Sequence, residues 1–196
     1  MAKYNPKIHH RRSIRLKGYD YSQPGFYFIT VCAQDREHFF GRIRNKIMGL
    51  NDAGIMVHHE WISIPERFPN VKLHEFMVMP NHFHAIMEIV GTTLVVAPNN
   101  VKPNKNITGQ MGQMGQPQGV APTGGKTVGD IVGAFQSITT VKYIRGVKND
   151  YWKRFNGKLW QRNYWEHIIC NENEYIRISE YIKNNPLNWK DDKLYV

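Results

Sequence analysis

At 196 residues, with 41% apolar and 12% aromatic residues, the chain is long enough for one domain with a real hydrophobic core. Its 26 lysines and arginines against 16 acidic residues leave a formal charge of +10, which favours a polyanionic partner, nucleic acid before a membrane surface. No apolar run reaches the ~18 residues of a membrane span, the basic N-terminal stretch lacks the apolar centre of a secretory signal, and Cys32 and Cys170 alone make no disulfide framework, so a reducing cytoplasm is the expected compartment.

Residues 1–24 read as a basic, turn-rich arm, followed by a single domain over 25–190 that a flexible insertion interrupts at 91–126. The stretch GFYFITVCAQDR (25–36) alternates, with Phe26, Phe28, Thr30 and Cys32 on one face and Tyr27, Ile29 and Val31 on the other, and predicts a central strand. Residues 38–50 fit a short hairpin partner. An Asn51/Asp52 cap signal opens a helix over 51–68, in which His58 and His59 read as surface or packing groups. Residues 71–90 divide into two strands at the turn pair Pro80-Asn81.

The composition then shifts to Gly, Gln, Asn and Pro through the insertion. Within it GVAPTGGKT resembles a phosphate-binding loop, but Val120 stands where that motif requires glycine. A helix over 127–146 follows, with Val128, Ile131, Val132, Phe135, Ile138 and Val141 as its apolar stripe. Residues 151–169 mix Trp, Tyr, Arg and Lys densely, a composition suited to stacking on unpaired bases and contacting phosphates. The final helix begins at Asn171 or Asn173 and is stopped by Pro186.

Two places carry chemistry. In PNHFHAIMEI (80–89), strand alternation puts His82 and His84 on one face, ~6–7 Å apart at their roots, while Phe83 points the other way. Two converging imidazoles suit a divalent metal but equally suit two hydrogen-bonded surface groups. In the final helix, Tyr181 and Asn185 are i,i+4 neighbours, so one face offers a phenol and an amide oxygen, the latter a legitimate ligand for a hard cation. A half-buried tyrosine and an ordinary helix-ending asparagine account for that spacing as well.

Taken together, HFH after MPNH, VGAFQS, LWQRNYWEHII and EYIRISEYIKNNPLNW resemble the REP-associated tyrosine transposases, within the single-tyrosine, His-hydrophobic-His (HUH) transposases of insertion sequences. The resemblance covers roughly residues 10–90 and 126–190. It implies an α+β fold, a ferredoxin-like antiparallel sheet with helices packed on one face. It implies His82, His84 and Asn185 as ligands of Mg²⁺ or Mn²⁺ and Tyr181 as a nucleophile that forms a 5′-phosphotyrosine link with single-stranded, hairpin-containing DNA.

Candidate DNA contacts are Arg11, Arg12 and Arg15 in the arm, with Lys142, Trp160, Arg162, Tyr164 and Trp165; Glu166 and His167 are candidates to support the site. Gln136 and Cys170 stand where many relatives carry basic residues. No membrane partner is expected, and the protein is expected as a monomer or a homodimer. Competing readings are a hairpin DNA- or RNA-binding protein without cleavage, and a nuclease that uses water and leaves no covalent product.

Overall fold

A computed structural model describes residues 16, 18–91 and 125–195. Arg11, Arg12 and Arg15, and the insertion except for its outermost residues, lie outside the described residues. Four antiparallel strands form the main sheet: β1 (Gly25–Cys32), β4 (Val71–Val78), β5 (His82–Ile89) and β6 (Trp165–Ile169), in the order β4-β5-β1-β6. A separate hairpin of β2 (Gly41–Arg44) and β3 (Ile47–Leu50) turns through Asn45 and Lys46, both at positive φ. The alternation predicted for residues 25–36 is present over β1, and the strand ends where Asp35 and Arg36 take φ of 54° and 55°.

Helix α1 (Asp52–Ile62) starts at Asn51, whose side chain accepts from the Gly54 amide at 2.9 Å. The single helix expected over 51–68 is two, because α2 (Ile64–Arg67) begins after Ser63 with Pro65, which has no N–H to continue the ladder of α1. Helix α3 (Val128–Asn149) opens on a capping box of Thr127 and Asp130, each side chain bonded to the other's backbone. Helix α4 (Glu172–Asn184) is capped by Asn171 and stops before Pro186.

The chain order β1-α1-β4-β5-α3-β6 on this sheet is the ferredoxin-like α+β arrangement. Strand alternation splits the apolar residues between two layers. Tyr27, Ile29, Val31, Phe83, Ala85 and Met87 face α1 and α3 and build the main core with Val57, Trp61, Ile131 and Phe135. Phe28, Ile86 and Ile169 face the other way and meet Ile178 and Ile182 of α4. The expectation of helices on one face therefore holds for α1 and α3 and is corrected for α4, which covers the opposite face. That is the face onto which His82 and His84 project.

Candidate metal and nucleophile site

The first turn of β5 sets the two imidazoles. His82 and His84 alternate with Phe83, so burying Phe83 against Trp61 (ring centroids 4.9 Å apart) turns both histidines towards α4. Both are sunk in the protein, 0% and 2% exposed, with ring centroids 4.4 Å apart. Each Nδ1 is held: His82 by Asn81 Oδ1 at 2.8 Å, His84 by Thr30 Oγ1 at 2.8 Å. The Asn81 amide nitrogen donates to the carbonyls of Arg36 (3.2 Å) and Leu194 (2.8 Å), so its oxygen accepts from His82 Nδ1–H. That fixes the tautomer and leaves a bare lone pair on His82 Nε2, the arrangement by which outer hydrogen bonds orient metal-ligating histidines.

Burial pushes His82 down to about 3 and His84 well below the ordinary 6.5, with the neighbouring imidazole adding to the effect at His84. Both rings are therefore neutral at physiological pH, the protonation state a metal requires.

Helix α4 brings in the phenol. Ile178 and Ile182 anchor it to the sheet, and polar ties fix its placement: Tyr175 Oη to His74 Nδ1 (3.0 Å), Glu174 to His167 (2.6 Å) and Lys183 to Glu75 (3.2 Å). Tyr181 Oη then lies 3.3 Å from His84 Nε2 and 3.4 Å from Asp192 Oδ2, while 44% of the residue is open to solvent. Burial and the charge of Asp192 push its phenol up to about 12.

One turn on, Asn185 is 2% exposed and its Nδ2 donates to Asp192 Oδ2 at 2.7 Å. Among the described residues its Oδ1 is buried without a hydrogen-bond partner, as is His82 Nε2. Two orphaned acceptors in one buried place are costly without a cation or donor, at roughly 1–3 kcal/mol each.

Asp192 is the residue that sequence reasoning missed. Its carboxylate and the two imidazoles place one ligand atom each within 4.8 Å of one another, a group that could hold a metal ion. A turn over Trp189–Asp191 after Pro186 folds the chain end back, and Leu194 N donates to Asp192 Oδ1 at 2.6 Å. The local signal was only an acidic pair in the stretch NWKDDKLYV, and its spacing from Tyr181 belongs to no regular element. His82, His84, Asn185 and Asp192 together fit a divalent cation: two imidazoles, an amide oxygen and a carboxylate.

The candidate DNA contacts fall in different places. Trp160 is 4% exposed, stacks on Phe40 (4.8 Å) and donates to Thr139 Oγ1 (2.8 Å); it is a core residue, which corrects its assignment to base stacking. Lys142 pairs with Glu60 of α1, on the layer away from the imidazoles, so its charge is already neutralised by a protein carboxylate. Tyr164 is half-buried against the main core. Arg162 is exposed on an open cleft of about 390 Å³ with Gln136 and Lys158.

Trp165 is 45% exposed on the same face as the imidazoles, stacked on His167 (5.7 Å, 4° between planes) and edge-on to Phe28 (5.4 Å). Phe28 in turn meets the Tyr181 ring at 6.2 Å, so Trp165 flanks Tyr181 across one side chain. Glu166 and His167 do not act as a pair. Glu166 is buried on the α1/α3 side, whereas His167 bonds Glu174 at the start of α4.

A protein of Haemophilus influenzae, described as "Uncharacterized protein", is 45% identical over 198 residues, a match covering 100% of this chain and 98% of that one. No family model matches the chain. Among solved structures, that of the REP-associated tyrosine transposase bound to a REP hairpin superposes with a TM-score of 0.51 at 18% identity, covering 98% of this chain and 77% of that chain; the likeness is one of fold. A second, from Deinococcus radiodurans R1, is 17% identical with a TM-score of 0.41 over 88% of this chain and 97% of that one, too dissimilar in space to weigh. Among the described residues no helix is long and apolar enough to cross a membrane.

Proposed function

We infer that this chain, which belongs to the same protein family as the Haemophilus influenzae relative and has the fold of a REP-associated tyrosine transposase, cleaves and rejoins single-stranded, hairpin-bearing DNA through a covalent bond to Tyr181. The observation that carries the reading is the approach of Tyr181 Oη to 3.3 Å from His84 Nε2, with Asp192 Oδ2 at 3.4 Å. A phenol, two neutral imidazoles and a carboxylate thus meet at one partly open surface.

His82, His84, Asn185 and Asp192 would hold the divalent cation, Mg²⁺ or Mn²⁺. Such a cation, when bound, withdraws charge from the scissile phosphate and from the developing phosphorane. The chain's own groups do the rest. Asn81 and Thr30 keep both imidazoles oriented, and burial keeps them neutral. Helix α4 holds the phenol over the site. Tyr181 attacks phosphorus; the new bond is from its phenolic oxygen to phosphorus, and the bond broken is from phosphorus to the 3′ oxygen of the preceding nucleotide. The phenolic proton passes to Asp192, and the departing oxygen leaves as a 3′-OH after taking up a proton. The phosphotyrosine keeps the energy of the phosphodiester, so a 3′-OH rejoins it without ATP.

The partner class is single-stranded DNA next to a hairpin, the net charge of +10 favours it, and the cytoplasm is where such DNA is met. The test is incubation with a hairpin oligonucleotide carrying single-stranded flanks, with Mn²⁺ or Mg²⁺, followed by a denaturing gel. Wild type yields a protein–DNA adduct and Tyr181→Phe yields none. Cleavage without an adduct in wild type, or an adduct in Tyr181→Phe, overturns the reading.

A further inference from the structure

The hydroxyl of Tyr181 has two hydrogen-bond partners among the described residues, His84 Nε2 at 3.3 Å and Asp192 Oδ2 at 3.4 Å. Both belong to residues assigned above to the cation. Other phenols end on groups with no such duty: Tyr27 Oη donates to Gln23 O and Tyr143 Oη to Lys153 O, each at 2.8 Å, and Tyr175 Oη meets His74 Nδ1 at 3.0 Å. Tyr181 is also 44% exposed, so burial alone does not drive its hydroxyl onto a ligand atom.

The two partners differ in what they can share. A carboxylate has about four lone-pair positions on its two oxygens. Asp192 takes Leu194 N on Oδ1 and Asn185 Nδ2 on Oδ2, and keeps capacity for a further partner. A neutral imidazole has a single lone pair and a single N–H. His84 Nδ1 is tied to Thr30 Oγ1 at 2.8 Å, so Nε2 is the nitrogen it turns to the phenol. If Nε2 carries the lone pair, it accepts from the phenol; if it carries the proton, it donates to the phenol. Neither arrangement leaves an electron pair for a cation. The contact with Tyr181 and ligation by His84 are therefore alternative uses of one nitrogen. His82 is the contrast, because Asn81 fixes its tautomer and its Nε2 has no partner among the described residues.

We propose that the Tyr181 hydroxyl and the divalent cation compete for His84 Nε2, and that the phenol, on yielding this nitrogen, keeps Asp192 alone. Its ring packs edge-on to Phe28 at 6.2 Å and the second acceptor already stands at 3.4 Å, so the hydroxyl exchanges partners without leaving the site. The exchange sets an order for the reaction proposed above: the phenol turns wholly to its proton acceptor only when His84 has been given to the cation. This rests on that reading for the cation and the proton acceptor, but its test uses no DNA and reads no cleavage.

The experiment measures the Kd of the full chain for Mn²⁺ from the dependence of the thermal midpoint on Mn²⁺ concentration, each protein referred to its own chelated midpoint, with isothermal titration calorimetry as the second measurement. The proteins are wild type, Tyr181→Phe and Tyr175→Phe. Tyr181→Phe keeps the ring and frees His84 Nε2. It is expected to bind Mn²⁺ more tightly than wild type, by about two- to tenfold, the equivalent of one hydrogen bond. Tyr175→Phe removes a phenol of the same helix that bonds His74 instead of a proposed cation ligand, and is expected to keep the wild-type Kd.

An unchanged or weaker Kd in Tyr181→Phe overturns the competition, and so does an equal gain in Tyr175→Phe, which would trace the gain to a loosened α4. Either result leaves the covalent-adduct test of Tyr181 untouched. No response to Mn²⁺ in any of the three proteins overturns the competition and the metal assignment together. A gain confined to Tyr181→Phe supports the competition even where wild type forms no adduct with hairpin DNA.

Discussion

Adding Mn²⁺ should raise the thermal midpoint of the wild-type protein, and His82→Ala should remove most of the effect. Without a cation the site buries two acceptors, His82 Nε2 and Asn185 Oδ1, that no donor among the described residues reaches. A ligand that binds only the folded state stabilises by about 2.7 kcal/mol at a hundredfold excess over its Kd, and about 2–4 °C of midpoint per kcal/mol is usual for a chain of this size. The expected shift is therefore ~5–11 °C. In His82→Ala one of the four proposed ligands is lost, so affinity for the cation, and with it the shift, should fall sharply even if the unliganded variant melts close to wild type. Differential scanning calorimetry or dye-based melting with Mn²⁺, Mg²⁺ and a chelator control reads this directly. An undiminished shift in His82→Ala, or no shift in wild type, refutes the metal assignment and with it the argument built on the orphaned acceptors.

Replacing Asn81 with Ala releases the His82 tautomer and should weaken metal binding by about 10–100-fold, read as a displaced Mn²⁺ titration of the same melting shift. The pH dependence follows from His82, whose folded value lies at about 3 against an ordinary 6.5. Between these the unfolded chain binds more protons than the folded one, so stability is present above about 6.5 and is lost as pH falls towards 3. Chelated protein melted across that range should show the loss, and His82→Asn should reduce it, the remainder coming from His84, which burial also holds well below its ordinary value. Trp160→Ala should cost roughly 3–5 kcal/mol in denaturant unfolding, since it empties a core position, and should leave the salt slope of DNA binding unchanged. Gly54→Ala should destabilise by roughly 1–3 kcal/mol, because a Cβ there would meet Phe40 O at 2.1 Å on the packed side of α1.

Much of the fold was legible because it is written in short-range periodicity. Residues 25–32 alternate cleanly, and each of their two faces found its own layer. Cap signals at Asn51 and Asn171 marked helix starts that the structure keeps, and Thr127, at the predicted start of α3, is its cap. Pro65 divided a helix that the apolar pattern had joined, a case of backbone chemistry overriding spacing. In the site, His82 and His84 converge because strand alternation alone requires it. Tyr181 and Asn185 share a face because a helix requires it.

Side-chain fate was less legible where it depends on depth. The sequence reading took Trp160 and Trp165 together as an aromatic stretch, yet Trp160 closes the core against Phe40 and Trp165 stands 45% exposed. Composition cannot separate them, because burial is set by what packs above each residue. Lys142 is the same case: its charge counts towards the basic total, and its partner Glu60 lies on a different helix.

What the sequence by itself determined is the local chemistry: which histidines share a strand face, which phenol shares a helix face with which amide, and that the whole is basic. What only the tertiary structure decided is how those faces meet. It put α4 on the side of the sheet opposite α1 and α3, carried Asp192 back to within 4.8 Å of both imidazoles, and set the Tyr181 hydroxyl against His84. The physical reason is range. Alternation and helical pitch act over a few residues, whereas a ligand contributed from more than a hundred residues away along the chain is fixed by packing, which no local period records.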